Sequence, residues 1–131
     1  MVQRRLVCDD RLMKGTVLIV DDHEGFRLSV RRMLEREGYV VVGEAIDGRS
    51  GVAAAERLRP DLALIDVRLP DIDGFEVALQ VRAAGSASSI LLISTRQRAD
   101  HGDRVIKSGA NGFIEKSELS GQSIAAVLAS S

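Results

Sequence analysis

The sequence predicts a doubly wound α/β domain, in which helices cover both faces of a five-stranded parallel sheet. Two observations predict this class. Five short apolar runs along the chain have the length and composition of buried strands. The segments between them are compatible with helices, most clearly where apolar residues recur at helical spacing. Strands that alternate with helices form a parallel sheet whose right-handed crossovers place helices on both faces.

Composition restricts the class of protein further. The chain has 131 residues, of which 45% are hydrophobic and 28% are charged, and its formal net charge is -1. This length suits one domain, and this charge gives no reason to expect direct nucleic acid binding or a membrane as partner. Cys8 is the single cysteine, so no internal disulfide is expected. No apolar run approaches the roughly eighteen residues of a membrane span, and we expect a cytoplasmic protein.

Continuous apolar runs that end at turn-forming or charged residues predict the strands. Residues 1–15 show no clear period, so we expect a tail there and a domain over residues 16–131. The predicted strands are residues 17–20, 39–43, 62–65, 90–93 and 112–114.

Apolar residues at helical spacing, followed by residues that end a helix, predict the helices. Gly38 ends the first helix, Pro60 ends the second, and the third stops near Gly85. A polar segment after the fourth strand holds a short helix around residues 103–107, and a last helix follows the fifth strand. Side chains predicted to face the core are Phe26, Val30, Met33, Leu34, Val52, Ala55, Leu58, Phe75, Ala78, Leu79, Leu119, Ile124, Val127 and Leu128.

Polar side chains follow four of the predicted strands. They are Asp21, Asp22, Asp66, Ser94, Thr95 and Lys116. Because the carboxyl ends of parallel strands meet at one rim, these side chains are expected to converge on one pocket. Close carboxylates repel unless a cation neutralises them, and Mg²⁺ prefers oxygen ligands. A lysine and a hydroxyl beside such a metal suit a phosphoryl group, and a carboxylate such as Asp66 can form an acyl phosphate.

The motifs over residues 16–128 resemble, in combination, the receiver domain of bacterial two-component response regulators, with its flavodoxin-like (CheY-like) fold. The motifs are Val20-Asp21-Asp22-His23, Asp66-Val67-Arg68-Leu69-Pro70-Asp71-Ile72-Asp73-Gly74, Ser94-Thr95 and Phe113-Ile114-Glu115-Lys116. Their general character is most similar to receivers that precede a helix-turn-helix output domain. The resemblance implies a sensor histidine kinase as partner, a possible homodimer through the fourth helix, fifth strand and fifth helix, and a role in transcription regulation.

The resemblance also implies a role for each site residue. Asp66 would be the phosphoacceptor, and Ser94 and Lys116 would bind the phosphoryl group. Asp21, Asp22, Asp66 and the backbone carbonyl of Arg68 would hold Mg²⁺. Phe113 would be an aromatic switch that turns inward with Ser94. The chain would then catalyse no reaction on other substrates beyond its own phosphorylation and dephosphorylation.

Three residues depart from the family pattern. Ser117 stands where proline usually follows the lysine, so we expect a trans peptide bond there. Thr95 stands where a smaller residue is more usual, and Arg68 places a long cation two residues after the acceptor. We expect Arg68→Ala or Thr95→Ala to change the dephosphorylation rate, and unchanged decay in both variants would contradict this.

Other interpretations stay open at the level of sequence. Asp22 alone suits a cap of the first helix. A receiver-like interaction module that no longer needs phosphate is the main alternative function. An independent Mg²⁺ phosphatase is disfavoured because Arg68 stands where such enzymes need a second acid.

Overall fold

The computed structural model describes residues 14–130, and within them five parallel strands form one sheet in the order β2-β1-β3-β4-β5. The strands are β1 (Gly15–Val20), β2 (Tyr39–Ala45), β3 (Leu62–Asp66), β4 (Ser89–Ser94) and β5 (Gly112–Glu115). The helices are α1 (Glu24–Arg36), α2 (Gly48–Leu58), α3 (Gly74–Ala84), α4 (Arg104–Lys107) and α5 (Gly121–Ala129), with 3₁₀ turns at Arg98–His101 and Lys116–Glu118. The predicted doubly wound fold is confirmed.

Two apolar layers cover the two faces of the sheet. One layer packs alternate strand residues against α2 and α3, and includes Leu18, Ile65 and Phe75. The other packs the opposite strand residues against α1 and α5, and includes Ile19 and Ile124. Because β1, β3 and β4 lie inside the sheet, their apolar residues are buried on both faces, which explains the uninterrupted apolar runs of the sequence.

Two expectations of the sequence analysis are corrected. Gly15 already belongs to β1, inside the range assigned to the tail, and the rest of that range apart from Lys14 lies outside the described residues. Leu79 does not face the core, since 45% of it is exposed. The buried stripe of α3 is formed instead by Gly74, Phe75, Val77, Ala78 and Val81. The trans peptide bond expected at Ser117 is confirmed.

Candidate functional site

Three carboxylates meet at the carboxyl ends of β1 and β3. Asp21, Asp22 and Asp66 each offer a carboxylate oxygen, and these oxygens lie within 4.8 Å of one another. Asp21 is fully buried and Asp66 is 6% exposed, whereas Asp22 faces solvent. The convergence expected from the strand order is therefore present for the acidic residues.

Asp21 is fixed on both sides of its carboxylate. Its Oδ1 accepts a hydrogen bond of 2.8 Å from the backbone N–H of His23. Its Oδ2 is buried and lies 2.6 Å from Lys116 Nζ, at an ion-pair distance but without hydrogen-bond geometry. A buried carboxylate oxygen that lacks a hydrogen-bond donor is suited to bind a cation.

The capping interpretation of Asp22 is wrong. The N-terminal cap of α1 is His23, whose Nδ1 accepts the backbone N–H of Phe26 at 3.0 Å. Asp22 is consequently left with its carboxylate exposed beside the buried pair.

Asp66 ends β3 in a buried position with two partners. Its Oδ1 accepts the backbone N–H of Arg68 at 3.2 Å, and its Oδ2 lies 3.3 Å from Lys116 Nζ. Burial, helped by the negative charge of Asp21, raises the pKa of Asp66 to about 6, although Lys116 and the Arg68 amide act to lower it. The carboxylate thus stands in a region where added negative charge needs a cation.

Lys116 supplies the one cation that the described structure places between the two buried carboxylates. It follows β5, and its ammonium group contacts both Asp21 and Asp66. The same Nζ lies 4.1 Å from the centre of the Phe26 ring, a cation–π contact that further fixes its position.

The loop from β3 to α3 is held at its carboxyl end and in its middle. At Gly74, an added Cβ would overlap the backbone carbonyl of Asp66, so this close approach requires glycine. In the middle of the loop, Asp71 accepts the backbone N–H groups of Gly48 and Arg49 at the start of α2, at 2.7 and 2.9 Å. Although desolvation acts to raise it, these amides lower the pKa of Asp71 to about 2. This loop carries Arg68, whose carbonyl the resemblance assigns to the metal.

The hydroxyl group that the resemblance assigns to phosphoryl binding lies at the end of β4. Ser94 is buried, and its Oγ accepts the backbone N–H of Arg96 at 3.0 Å and lies 3.2 Å from Nε2 of His101. Phe113 on β5 is half-buried, with its ring centre 5.4 Å from that of His101. Ser94 lines the same cavity as Asp66 and Lys116, a space of about 530 Å³ that Arg68 and Thr95 also border.

The donor set fits a hard divalent cation. It consists of carboxylate oxygens alone, one of them buried without a hydrogen-bond donor, and Lys116 balances only part of their charge. Softer metals prefer histidine or cysteine, and no histidine or cysteine belongs to this cluster of described residues.

No local sequence pattern predicts the contact between His101 and Ser94. His101 lies in a polar segment with no periodicity, and its ring reaches Ser94 only because a 3₁₀ turn follows β4. The sequence also gave no signal for the ion pair of 2.7 Å between Arg104 and Asp73, which joins α4 to the cap of α3.

Comparisons with known proteins agree with this architecture. Residues 17–128 match the model of the response regulator receiver domain. The chain is 31% identical over 110 residues to the DNA-binding transcriptional activator EvgA of Escherichia coli, which covers 84% of this chain and 54% of EvgA. The curated relatives are longer, and the chain spans about half of their length (49 to 54%).

Solved structures show the same fold. A two-component response regulator of the LuxR family from Aurantimonas sp. SI85-9A1 superposes with a TM-score of 0.78 and 32% identity, covering 88% of this chain and 86% of that one. The chemotaxis protein CheY4 of Vibrio cholerae gives a TM-score of 0.76 and 30% identity, covering 88% and 97%. No helix among the described residues has both the length and the apolar character to cross a bilayer. The chain belongs to the receiver domains of two-component response regulators.

Proposed function

We propose that this receiver domain is a phosphorylation-controlled switch in which Asp66 accepts the phosphoryl group. The observation that carries the proposal is the buried carboxylate of Asp66, held beside Asp21 and Asp22 with Lys116 within 3.3 Å. An acceptor there borders the cavity, and Lys116 together with a cation held by the carboxylates can neutralise a phosphoryl group.

The transfer step uses groups that the chain already holds in place. Bound Mg²⁺, held by Asp21, Asp22, Asp66 and the Arg68 carbonyl, would neutralise the phosphoryl oxygens. An Asp66 carboxylate oxygen attacks phosphorus, forming a P–O bond. The bond from phosphorus to the donor breaks, and the donor leaves with that electron pair, as an imidazole from a phosphohistidine or a carboxylate from an acyl phosphate.

The same site returns the domain to its resting state. Water attacks phosphorus, the bond to Asp66 breaks, and the carboxylate and inorganic phosphate are released. Arg68 and Thr95 are exposed residues at the border of the cavity, where they are placed to affect access of this water. The domain then turns over only its own phosphoryl group and acts on no further substrate.

The phosphorylated state is read at a distance. Ser94 lines the acceptor cavity, and His101 contacts both Ser94 and Phe113 on the last strand. A movement of Ser94 can therefore change the position of Phe113. We propose a sensor histidine kinase as phosphodonor and a homodimer through α4, β5 and α5 as one form of the active state. In this scheme the chain regulates transcription through an output domain and does not itself bind nucleic acid.

The alternative function is an interaction module that works without phosphate. The close contacts of Lys116 with Asp21 and Asp66 favour the phosphorylated switch. Burying charged groups costs free energy of folding, and a module that works without phosphate does not require them. A phosphatase that acts on external substrates is disfavoured by Arg68, because its guanidinium group does not protonate leaving groups.

Intact mass after incubation with acetyl phosphate, with and without Mg²⁺, tests the proposal. We expect wild type to gain one phosphoryl group only when Mg²⁺ is present, and Asp66→Asn to gain none. Asp100→Asn is the matched control, because Asp100 borders the same cavity outside the carboxylate cluster. Hydroxylamine, which cleaves acyl phosphates, should remove the added group.

Two results would contradict the proposal. The first is an equal mass gain in Asp66→Asn and wild type. The second is the absence of any gain from both acetyl phosphate and a panel of phosphorylated histidine kinases while calorimetry shows Mg²⁺ binding, which would favour the phosphate-independent module.

A further inference from the structure

His101 lies between the two residues that the proposed switch uses. It ends the 3₁₀ turn that follows β4, and its half-buried ring contacts two phenylalanine rings. The ring centres are 5.5 Å apart for His101 and Phe75 and 5.4 Å apart for His101 and Phe113, in tilted or edge arrangements. These two aromatic contacts help to hold the imidazole ring in place.

The Ser94 hydroxyl has one proton to donate, and two polar groups lie within hydrogen-bond distance of its oxygen. Its oxygen already accepts the Arg96 amide, and the remaining polar contact is His101 Nε2 at 3.2 Å. Burial, together with the positive charges of Arg104 and Arg96, lowers the pKa of His101, while Asp100 acts to raise it. The neutral ring has one acceptor nitrogen, so it can take a hydrogen bond from the hydroxyl.

We propose that His101 is a positioning residue whose Nε2 accepts a hydrogen bond from the Ser94 hydroxyl. This hydrogen bond holds Ser94 and Phe113 in the resting arrangement until a phosphoryl group on Asp66 competes for the hydroxyl. This inference rests on the proposed function and adds to it the group that opposes the switch. A core position alone would not explain the polar contact, since the imidazole also borders the acceptor cavity.

The consequence is a competition for one hydroxyl. In the resting state the Ser94 hydroxyl donates its hydrogen bond to the imidazole of His101. When a phosphoryl oxygen accepts that hydrogen bond instead, His101 loses its polar partner, and its ring, which contacts Phe75 and Phe113, becomes free to move. Removing the acceptor nitrogen removes the opposing contact, so the fraction of molecules ready to accept phosphate increases.

Two substitutions separate the polar contact from packing. His101→Phe keeps an aromatic ring next to Phe75 and Phe113 but has no hydrogen-bond acceptor, whereas His101→Gln keeps a side-chain acceptor without the ring. We expect His101→Phe to gain its phosphoryl group from acetyl phosphate roughly two- to tenfold faster than wild type, the range set by one net hydrogen bond. His101→Gln should lie closer to wild type. A His101→Phe rate equal to or below that of wild type would overturn the proposal.

Histidine NMR tests the contact between His101 and Ser94 without altering His101. Long-range ¹H–¹⁵N spectra should show the His101 Nε2 unprotonated, with a resonance that moves downfield in Ser94→Ala, where the hydrogen bond is absent. Phosphorylated wild type should move in the same direction. A protonated Nε2 in the resting state, or an unchanged resonance in protein shown by mass to be phosphorylated, would overturn the proposal.

The two proposals fail in different ways. If Asp66 takes no phosphoryl group, mass spectrometry shows it, and the comparison of wild type with Ser94→Ala still decides whether the hydrogen bond exists. If Asp66 is phosphorylated but the His101 resonance stays in place, only the role of His101 is wrong.

Discussion

The two sides of the candidate site are built differently. The carboxylate side, formed by Asp21, Asp22 and Asp66 at the carboxyl ends of β1 and β3, rests on the centre of the sheet. There, strand residues 17–20 and 63–65 have no exposed surface. The switch side, formed by Ser94, His101 and Phe113, includes the edge strand β5 and the four-residue helix α4. On α4, Ile106 is 71% exposed.

The difference assigns a task to each side. Phosphoryl transfer needs groups whose positions do not change, and the central strands provide them because their packing leaves no alternative arrangement. A readout needs an element with a second arrangement of similar free energy, and a short helix with few buried contacts meets that need. Changes on the carboxylate side should therefore cost more stability than matched changes on the switch side.

The largest effect is expected at Gly74. An alanine Cβ there would overlap the Asp66 carbonyl, so the backbone must shift and we expect a loss of about 3 kcal/mol in the free energy of unfolding. Gly102→Ala is the control on the switch side. Gly102 has φ 61° and ψ -132°, outside the left-handed helical region, but open space around it, so backbone strain alone should cost about 1 to 2 kcal/mol. Urea unfolding of both variants measures the difference, and equal losses would contradict the comparison.

Lys116→Met should show the next largest effect, and one that Mg²⁺ reverses. Without this cation, the buried Asp21 and Asp66 repel each other. We expect a loss of about 2 kcal/mol in EDTA, below the usual cost of breaking a buried ion pair because Asp66 can take up a proton. Mg²⁺ should stabilise the variant more than wild type, since it replaces the missing positive charge.

The control for this experiment is Lys107→Met. Lys107 pairs with Asp103 on the surface of the switch side, with side chains 73% and 66% exposed, so its removal should cost less than about 0.5 kcal/mol and show no dependence on Mg²⁺. Thermal unfolding of both variants, with EDTA and with Mg²⁺, compares how much Mg²⁺ stabilises each of them. A Lys116→Met protein whose stability Mg²⁺ does not raise would argue against a metal site at the three carboxylates.

The same difference explains how much the sequence could predict. On the carboxylate side, strand ends determine where Asp21 and Asp66 lie, and apolar runs reveal strand ends directly. On the switch side, the position of His101 depends on a 3₁₀ turn and on two aromatic rings from separate elements. Such contacts depend on tertiary packing, and no local pattern of the chain records them.

The incorrect placement of Leu79 has a different cause. Val77, Ala78 and Leu79 are consecutive apolar residues, so the sequence allows more than one buried face for α3. Packing against both α2 and the sheet selects the stripe at Gly74, Val77, Ala78 and Val81, which has the spacing of one helix face.

Asp71 offers a test of the carboxylate side that depends on pH. Its pKa of about 2 in the folded state lies below the ordinary value of about 3.9, so the folded state binds the proton less well. Its stabilising effect is therefore complete above about pH 4 and is lost as the pH falls toward 2. We expect the stability difference between wild type and Asp71→Asn to shrink over that range. Asp103→Asn corrects for the general loss of negative charge. A stability difference that does not depend on pH would mean that the Asp71 carboxylate does not stabilise the start of α2.

The smallest effect is expected at Leu79. Because 45% of this residue is exposed and it lies off the buried stripe of α3, Leu79→Ser should change the free energy of unfolding by no more than about 0.5 kcal/mol. Val77→Ala, only two residues away, removes fully buried methyl groups and should cost about 1 to 3 kcal/mol. Urea unfolding of the pair distinguishes the two possible faces of the helix. A Leu79→Ser loss as large as that of Val77→Ala would mean that Leu79 packs into the core and that α3 is rotated toward the switch side.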